Sequence, residues 1–344
     1  MPEIISDILR ILLLPLTAIF YLAVRVKNFL YDRKILKQKK LPVKIISVGN
    51  VSAGGTGKSP FIEFLAEYLI TKNFRVGIIA RGYGRKSKGL INVFDGNNFI
   101  DDVSQTGDEL NMIANNLKPH GDKIFIIASE DRVKGAECII NNFNTDIILL
   151  DDAFQHRNIF RDIDIVMVDS GEYLSRKLKD RLMLPSGILR EPYSEIKNAD
   201  IVIQNNKHLK LGKIDSLHRL NSNLITANYI CKGFYDSDNI QHDIKGKKII
   251  SICGIAKPDS FLSMIKSEGG DIIKSFVFND HHHYTQDDIT KFMNFSVNGN
   301  LFITTEKDFV KIKYFDKFTV NFKLLFLKLK YKLESTELID EKIL

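Results

Sequence analysis

The segment that most restricts the fold of this chain lies near its start. Val43 to Val48 is a short, largely β-branched apolar run. It leads straight into Gly49-Asn50-Val51-Ser52-Ala53-Gly54-Gly55-Thr56-Gly57-Lys58-Ser59-Pro60, and an amphipathic helical pattern then continues to about Ile70. Strand, glycine-rich loop and helix in that order form a phosphate cradle. Glycines 54, 55 and 57 permit a backbone whose N–H groups converge on phosphate oxygens, Lys58 reaches the β and γ phosphates, and Ser59 supplies a hydroxyl to Mg²⁺. Gly54, Gly55, Thr56, Gly57, Lys58 and Ser59 are therefore the predicted nucleotide-binding set. The motif departs from its common form once, because Ser52 stands where the first glycine of Gly-x-x-x-x-Gly-Lys-Ser usually falls. A merely flexible glycine loop is the plain alternative, and the strand-to-helix position of Gly-Lys-Ser weighs against it.

Further apolar runs follow at Arg75 to Ala80, Lys123 to Ala128, Asp146 to Leu150, Asp164 to Val168 and Asp200 to Ile203, with helical stretches between them. Near-continuous apolar strands alternating with helices predict an α/β, P-loop NTPase-like fold with a mostly parallel sheet covered by helices on both faces. Ligands of such sheets bind at the carboxyl ends of the strands. The run Asp146-Ile147-Ile148-Leu149-Leu150-Asp151-Asp152 ends there on two acids, so Asp151 and Asp152 are the predicted carboxylates of a nucleotide's metal shell. An Asp at a strand end is also a common helix cap. No Asp-x-x-Gly begins at Asp151 or Asp152, and Thr305-Glu306-Lys307-Asp308 lacks the Asn/Thr-Lys-x-Asp order of a guanine reader, so the predicted nucleotide is ATP.

The chain has 344 residues, more than the roughly 250 to 300 at which single cores stop growing, so two lobes are expected. Hydrophobic residues at 44% and charged residues at 26% exclude a disordered chain, a collagen and a coiled coil. A net charge of +7 favours anionic partners without the basic, aromatic-laced runs of a nucleic-acid binder, and no obligate protein partner is evident. Cys138, Cys231 and Cys253 are widely spaced, which supports neither a disulfide framework nor a zinc ribbon and fits a reducing cytoplasm.

Ile8 to Val24 is nearly all apolar and is followed by Arg25, Lys27, Arg33, Lys34, Lys37, Lys39 and Lys40. A secretory signal places its cations first, so that reading is rejected. A spanning helix needs roughly 20 apolar residues, and Arg10 and Pro15 interrupt this stretch, so an interfacial helix held by anionic lipids is predicted. A core helix of a soluble domain is the alternative.

Motor, switch and kinase all use a phosphate loop, so the acceptor must be read from other residues. Asp151-Asp152-Ala153-Phe154-Gln155-His156, Arg81-Gly82-Tyr83-Gly84, Gly107-Asp108-Glu109, Leu189-Arg190-Glu191-Pro192, Asp280-His281-His282 and Thr305-Glu306-Lys307-Asp308, together with the loop above, closely resemble the tetraacyldisaccharide 4′-kinase (lipid A 4′-kinase) family. Order and spacing match along essentially the whole chain, with Ala153 and Ser52 replacing glycines common in the family. The resemblance implies transfer of the ATP γ-phosphate, with Mg²⁺, to the 4′-hydroxyl of tetraacyldisaccharide 1-phosphate, giving lipid IVA. The implied location is the cytoplasmic face of a bacterial inner membrane, where the protein is peripheral or monotopic.

It also implies roles for single residues. Asp108 is the implied base for the sugar hydroxyl and His281 its partner. Arg81, Glu109, Gln155, His156 and Arg190 are implied at the substrate or phosphates, and Glu191 near Mg²⁺ beside Ser59, Asp151 and Asp152. Several have a plainer reading. Thr106-Gly107-Asp108-Glu109 reads as a capping box, Arg190 and Glu191 as a solvated pair in a Pro-punctuated turn, and Thr305-Glu306-Lys307-Asp308 as a cap. Three adjacent histidines at 281–283 do not converge easily on one ion, so zinc is not predicted, and Thr285 to Asp288 looks like the cap of the next helix.

The expected organisation is a membrane-associated helix at 1–35, an ATP-binding lobe at 36–225 and a smaller α/β lobe at 226–344 closing over the cleft. Lys247 to Ile252 and Phe276 to His281 are expected in a second small sheet. Two other classes stay open on the residues alone. One is a membrane-recruited ATPase switch with no sugar-lipid acceptor, and the other is a soluble phosphate-loop ligase or kinase.

Overall fold

The computed structural model describes residues 2–175, 177–207, 209, 211–295, 300–315, 318 and 322–344. Its strands are β1 (Lys44–Gly49), β2 (Val76–Ala80), β3 (Ile91–Phe94), β4 (Ile124–Ala128), β5 (Ile147–Asp151), β6 (Ile163–Asp169), β7 (Ile201–Lys207), β8 (Leu224–Tyr235), β9 (Gln241–His242), β10 (Lys248–Cys253), β11 (Asp271–Val277), β12 (Leu301–Thr305) and β13 (Leu324–Leu333). All six runs read from the sequence are strands. Each is short and mostly apolar because both of its faces are covered.

The strands form one sheet in the order β11-β10-β12-β13-β8-β7-β6-β1-β5-β2-β4-β3, with β9 paired to β8. Pairing is parallel except at β13/β8, β3/β4 and β8/β9. The strand that feeds the phosphate loop is central and pairs with β5 so that Val48 lies opposite Asp151. That register alone delivers the acid to the mouth of the loop.

The second small sheet expected for the carboxyl-terminal part is not separate. Strand β8 pairs with β7 over Leu224 to Asn228 and with β13 over Ala227 to Tyr235, so the ladder runs unbroken across residue 225. Twelve residues in one strand reach both neighbours, and a register shift at Lys328/Leu329 accommodates the twist between them.

Helix Lys58–Thr71 covers one face of the first half of the sheet. Phe61, Ile62, Leu65, Ala66 and Leu69 recur at helical spacing and are all fully buried. Amino-terminally, the expected single helix is two, Pro2–Leu12 and Leu14–Asp32, with Pro15 in the first turn of the second, where its missing N–H costs no bond. Among the described residues no helix is long and apolar enough to cross a membrane. Thr17 and Asn28 are the buried residues of the second helix, while Leu9, Leu12, Leu16, Ile19, Leu22, Val26 and Phe29, spaced by three or four, are exposed.

Candidate active site

An open cleft of about 1280 Å³ lies at the carboxyl ends of the parallel strands, lined by Gly54 to Ser59, Arg81, Glu109, Asp151, Asp152, Gln155, His156, Arg190, His281 and Lys307. The loop at its floor is braced from below. Asn205 Nδ2 donates to Thr56 O at 2.8 Å, Lys207 Nζ to Gly55 O at 2.8 Å, and Asn50 Nδ2 to Thr56 Oγ1 at 3.1 Å. Gly57 holds φ +90°, and a Cβ there would collide with Tyr229 Oη and Asn205 Nδ2, so glycine is required by both conformation and space. Ser52 fits where glycine is usual because its hydroxyl donates to Glu172 Oε2 at 3.1 Å.

Lys58 opens the helix after the loop, and its Nζ is 3.3 Å from Asp152 Oδ1, while Arg190 Nη1 donates to Asp152 Oδ2 at 2.7 Å. Burial opposes ionisation of Asp152, but these two cations outweigh it and hold the carboxyl down at about 2. Asp151 behaves in the opposite way. Burial, reinforced by the neighbouring charges of Asp152 and Glu109 against the pull of Lys58, pushes it up to about 7, and its Oδ1 has no hydrogen-bond partner. Arg132, itself buried, donates to Asp151 O at 2.8 Å and fixes the strand end. Burial and Arg132 lower His156 to about 4, so its imidazole is neutral at pH 7. Gln155 is anchored by Nε2 donating to Asn50 O at 2.8 Å, and Arg81 is exposed on the cleft wall.

Residues 173 positions apart meet across the cleft, with His281 Nδ1 3.0 Å from Asp108 Oδ2 and 3.1 Å from Oδ1. Asp108 is the first residue of helix Asp108–Leu117, and the capping box read from the sequence is absent. Thr106 Oγ1 donates to Asp102 O instead, and the cap position is Gly107, which offers no side chain. A Cβ at Gly107 (φ +83°) would meet the backbone of Gly82 and Tyr83 at 2.7–3.0 Å, so the Arg81 to Gly84 turn and the Asp108 helix pack backbone to backbone. The Tyr83 ring then lies 4.6 Å from that of His281. Burial favours the neutral form of Asp108, yet the His281 hydrogen bond and the charge of Lys307 prevail and hold it at about 2.

One further expectation needs correction. Glu191, expected near the metal, turns away from the cleft and accepts from Asn28 Nδ2 at 2.9 Å, because its backbone N–H is tied to Val51 O and its side chain faces the amino-terminal helix. Burial raises its pKa, against the Asn28 bond. Glu109, expected at the substrate or phosphates, lines the cleft and accepts from the Ser59 hydroxyl at 2.7 Å and Lys307 Nζ at 2.9 Å. The cap alternatives fare unevenly. Thr285 and Asp288 form a full capping box, and His282 joins it through Asp288 at 3.0 Å. Thr305 caps the helix Glu306–Ile312, while Lys307 in that same motif reaches into the cleft.

The chain matches the family model described as Tetraacyldisaccharide-1-P 4′-kinase over residues 9–344. It belongs to that family. A curated tetraacyldisaccharide 4′-kinase from Halothermothrix orenii is 35% identical, with 96% of this chain and 92% of the relative covered, and one from Aquifex aeolicus is also 35% identical, covering 92% and 94%. A crystal structure of LpxK from Aquifex aeolicus in complex with ATP superposes with a TM-score of 0.80 at 31% identity, covering 97% of this chain and 98% of that one.

Sequence reasoning missed the brace under the loop. The apolar run that marks β7 in the sequence stops at Ile203, but Gln204, Asn205 and Asn206 continue the strand fully buried, each with its side chain hydrogen-bonded to nearby backbone. A polar run at the carboxyl end of a parallel strand was the available signal.

Proposed function

We propose that this chain is a lipid kinase that transfers the γ-phosphate of ATP to the 4′-hydroxyl of tetraacyldisaccharide 1-phosphate, giving lipid IVA and ADP. The observation that carries this reading is that His281 lines the same cleft as the phosphate loop and pairs there with the buried Asp108 directly behind it. An ATPase switch without an acceptor would leave that pair without a task.

Asp108 is ionised throughout the neutral range. It accepts a hydrogen bond from the attacking hydroxyl, orients it and takes its proton as the new O–P bond forms and the bond from γ-phosphorus to the β–γ bridging oxygen breaks. In a loose transition state that proton leaves late, so a carboxylate of low basicity suffices. Lys58 and the loop N–H groups hold the phosphates, and Arg190 and Arg81 stand at the rim to neutralise transferring charge. The oxygen donors Ser59, Asp151 and Asp152 suit Mg²⁺, and the unpartnered buried Oδ1 of Asp151 is the mark of a cation's place. Bound there, Mg²⁺ supplies charge neutralisation on the phosphates.

Membrane docking through the exposed apolar stripe of the amino-terminal helices, which is 49% to 70% exposed from Leu9 to Phe29, fits a substrate held by acyl chains in an anionic leaflet. The proposed site of action is the cytoplasmic face of the inner membrane, with the protein peripheral or monotopic. The three-part division at about residues 35 and 225 is proposed as the functional one, the cleft closing between the second and third parts. The test is to incubate the full chain with ATP, Mg²⁺ and tetraacyldisaccharide 1-phosphate in mixed micelles and to seek the lipid's gain of one phosphate by mass spectrometry. ATP consumption with no phosphorylated lipid would overturn the proposal.

A further inference from the structure

Among the described residues, Lys307 is the one cation that reaches both members of the cross-cleft pair, and neither motif order nor the capping role of its segment accounts for it. Its Nζ lies 2.9 Å from Glu109 Oε1, 3.0 Å from Asp280 Oδ1 and 3.2 Å from His281 Nε2, with Asp108 Oδ2 farther off at 4.0 Å. An ammonium has three N–H donors and no lone pair, and here three acceptors stand within reach of three donors. Burial alone would make Lys307 easier to deprotonate, but Glu109, Asp108 and Asp280 outweigh it and hold its pKa above the ordinary lysine range, so it is charged at any working pH.

A donor-only group facing Nε2 at hydrogen-bond distance requires that nitrogen to present its lone pair. The proton of a neutral imidazole must then sit on Nδ1, which faces both oxygens of Asp108 at 3.0–3.1 Å. We propose that Lys307 is a positioning residue that fixes His281 as the neutral Nδ1–H tautomer, the form that donates to Asp108 and leaves Asp108 the proton acceptor. This rests on the reading of Asp108 as the base.

The groups facing His281 are the carboxylates of Asp108, Glu109 at 3.9 Å and Asp280 at 3.8 Å, the ammonium of Lys307 and the ring of Tyr83, with Lys311 beyond Asp108 at 3.5 Å from its Oδ2. Three carboxylates favour imidazolium, and Lys307 opposes them both by charge and by occupying the site of the second proton. The backbone supports the arrangement. His281 sits in the left-handed region at φ 60°, its N–H donating to Asp280 Oδ1 at 3.0 Å, which turns the ring toward Asp108 while Asp280 also holds Lys307. Because Glu109 accepts from both Lys307 and Ser59, the tautomer is set only while helix Glu306–Ile312 sits against the phosphate-loop side of the cleft.

The test uses the full chain in detergent micelles with ¹⁵N-labelled histidine, the His281 resonances being assigned by their loss in His281→Gln. At pH 7 the wild type should show a protonated, pyrrole-type Nδ1 and an unprotonated, pyridine-type Nε2 at His281. Two protonated nitrogens, or a protonated Nε2 alone, would overturn the inference without recourse to any variant. In Lys307→Met the flanking carboxylates should turn His281 to imidazolium at pH 7. The lipid-kinase kcat should fall about 10- to 100-fold, the usual size of an effect exerted through an orienting partner. Lys307→Gln keeps an N–H donor for Nε2 and should restore the neutral tautomer and part of kcat. An unchanged spectrum in Lys307→Met would refute the role. A wild type that shows the predicted tautomer yet makes no phosphorylated lipid would refute the proposed function and leave the tautomer assignment standing.

Discussion

Helices Leu14–Asp32 and Lys58–Thr71 are built from similar apolar residues and use them in opposite directions. In the second, Phe61, Ile62, Leu65 and Leu69 point into the sheet and are fully buried. In the first, Ile19, Leu22, Val26 and Phe29 point out, and the helix is held to the protein by polar clasps. Thr17 Oγ1 donates to Ser186 Oγ at 2.7 Å, Arg25 Nη1 to Glu195 Oε1 at 2.9 Å, Lys27 Nζ to Gln155 O at 2.9 Å and Asn28 Nδ2 to Glu191 Oε2 at 2.9 Å. Apolar content alone therefore does not say whether a helix packs into a core or leaves its apolar face exposed. Which polar residues find partners does.

The largest expected effects are on the cleft side. Lys58→Ala, Asp108→Ala and His281→Ala should each lower kcat by about 10² to 10⁴ with vesicle binding intact, and Asp108→Ala/His281→Ala should be little worse than the worse single, since the pair acts as one unit. Additive losses in steady-state kinetics would separate the two residues. Asp108→Ser retains any cap but no base, so an active Asp108→Ser enzyme would return Asp108 to a structural role.

Next in size, Phe61→Ala should cost about 3–5 kcal/mol in chemical unfolding, because the ring is fully buried against Tyr331 at 5.5 Å and Phe64 at 6.2 Å. A loss under 1 kcal/mol would mean that this helix is not the core element its burial indicates.

Acid dependence comes third. The pKa of Asp108 falls from 3.8 to about 2 on folding, so its contribution, roughly 2 kcal/mol, is present above pH 4 and lost as pH falls from about 4 toward 2. Unfolding of Asp108→Asn should be less sensitive than wild type to lowering the pH from 5 to 2.

The smallest stability effect belongs to the outward face. Ile19→Ser with Leu22→Ser should change unfolding free energy by no more than about 0.5 kcal/mol each. The same change should lower partition onto anionic vesicles by about ten-fold per residue if each side chain is buried there, at ~1.5 kcal/mol or more. Unaltered sedimentation with vesicles would place the docking surface elsewhere.

The site was unevenly legible. Lys58, Ser59, Asp151 and Asp152 follow from local order because a parallel strand delivers its last residue to the ligand edge wherever the sheet forms. Asp108 and His281 have no such local mark, and only family resemblance paired them. Glu191 shows the limit of that route, since its neighbour Arg190 enters the cleft while its own side chain crosses to Asn28.

The sequence by itself determined what depends on nearest neighbours along the chain. This covers the six short strands, the glycine loop into helix Lys58–Thr71 and the capping box at Thr285, because period, φ preference and cap chemistry act over a few residues. Tertiary structure decided what depends on pairing at a distance: a single sheet made continuous by β8, the polar brace from Asn205 and Lys207, and Lys307 seated among Glu109, Asp280 and His281. Those choices depend on where desolvated charged and polar groups find partners, and which groups meet is fixed by the fold as a whole.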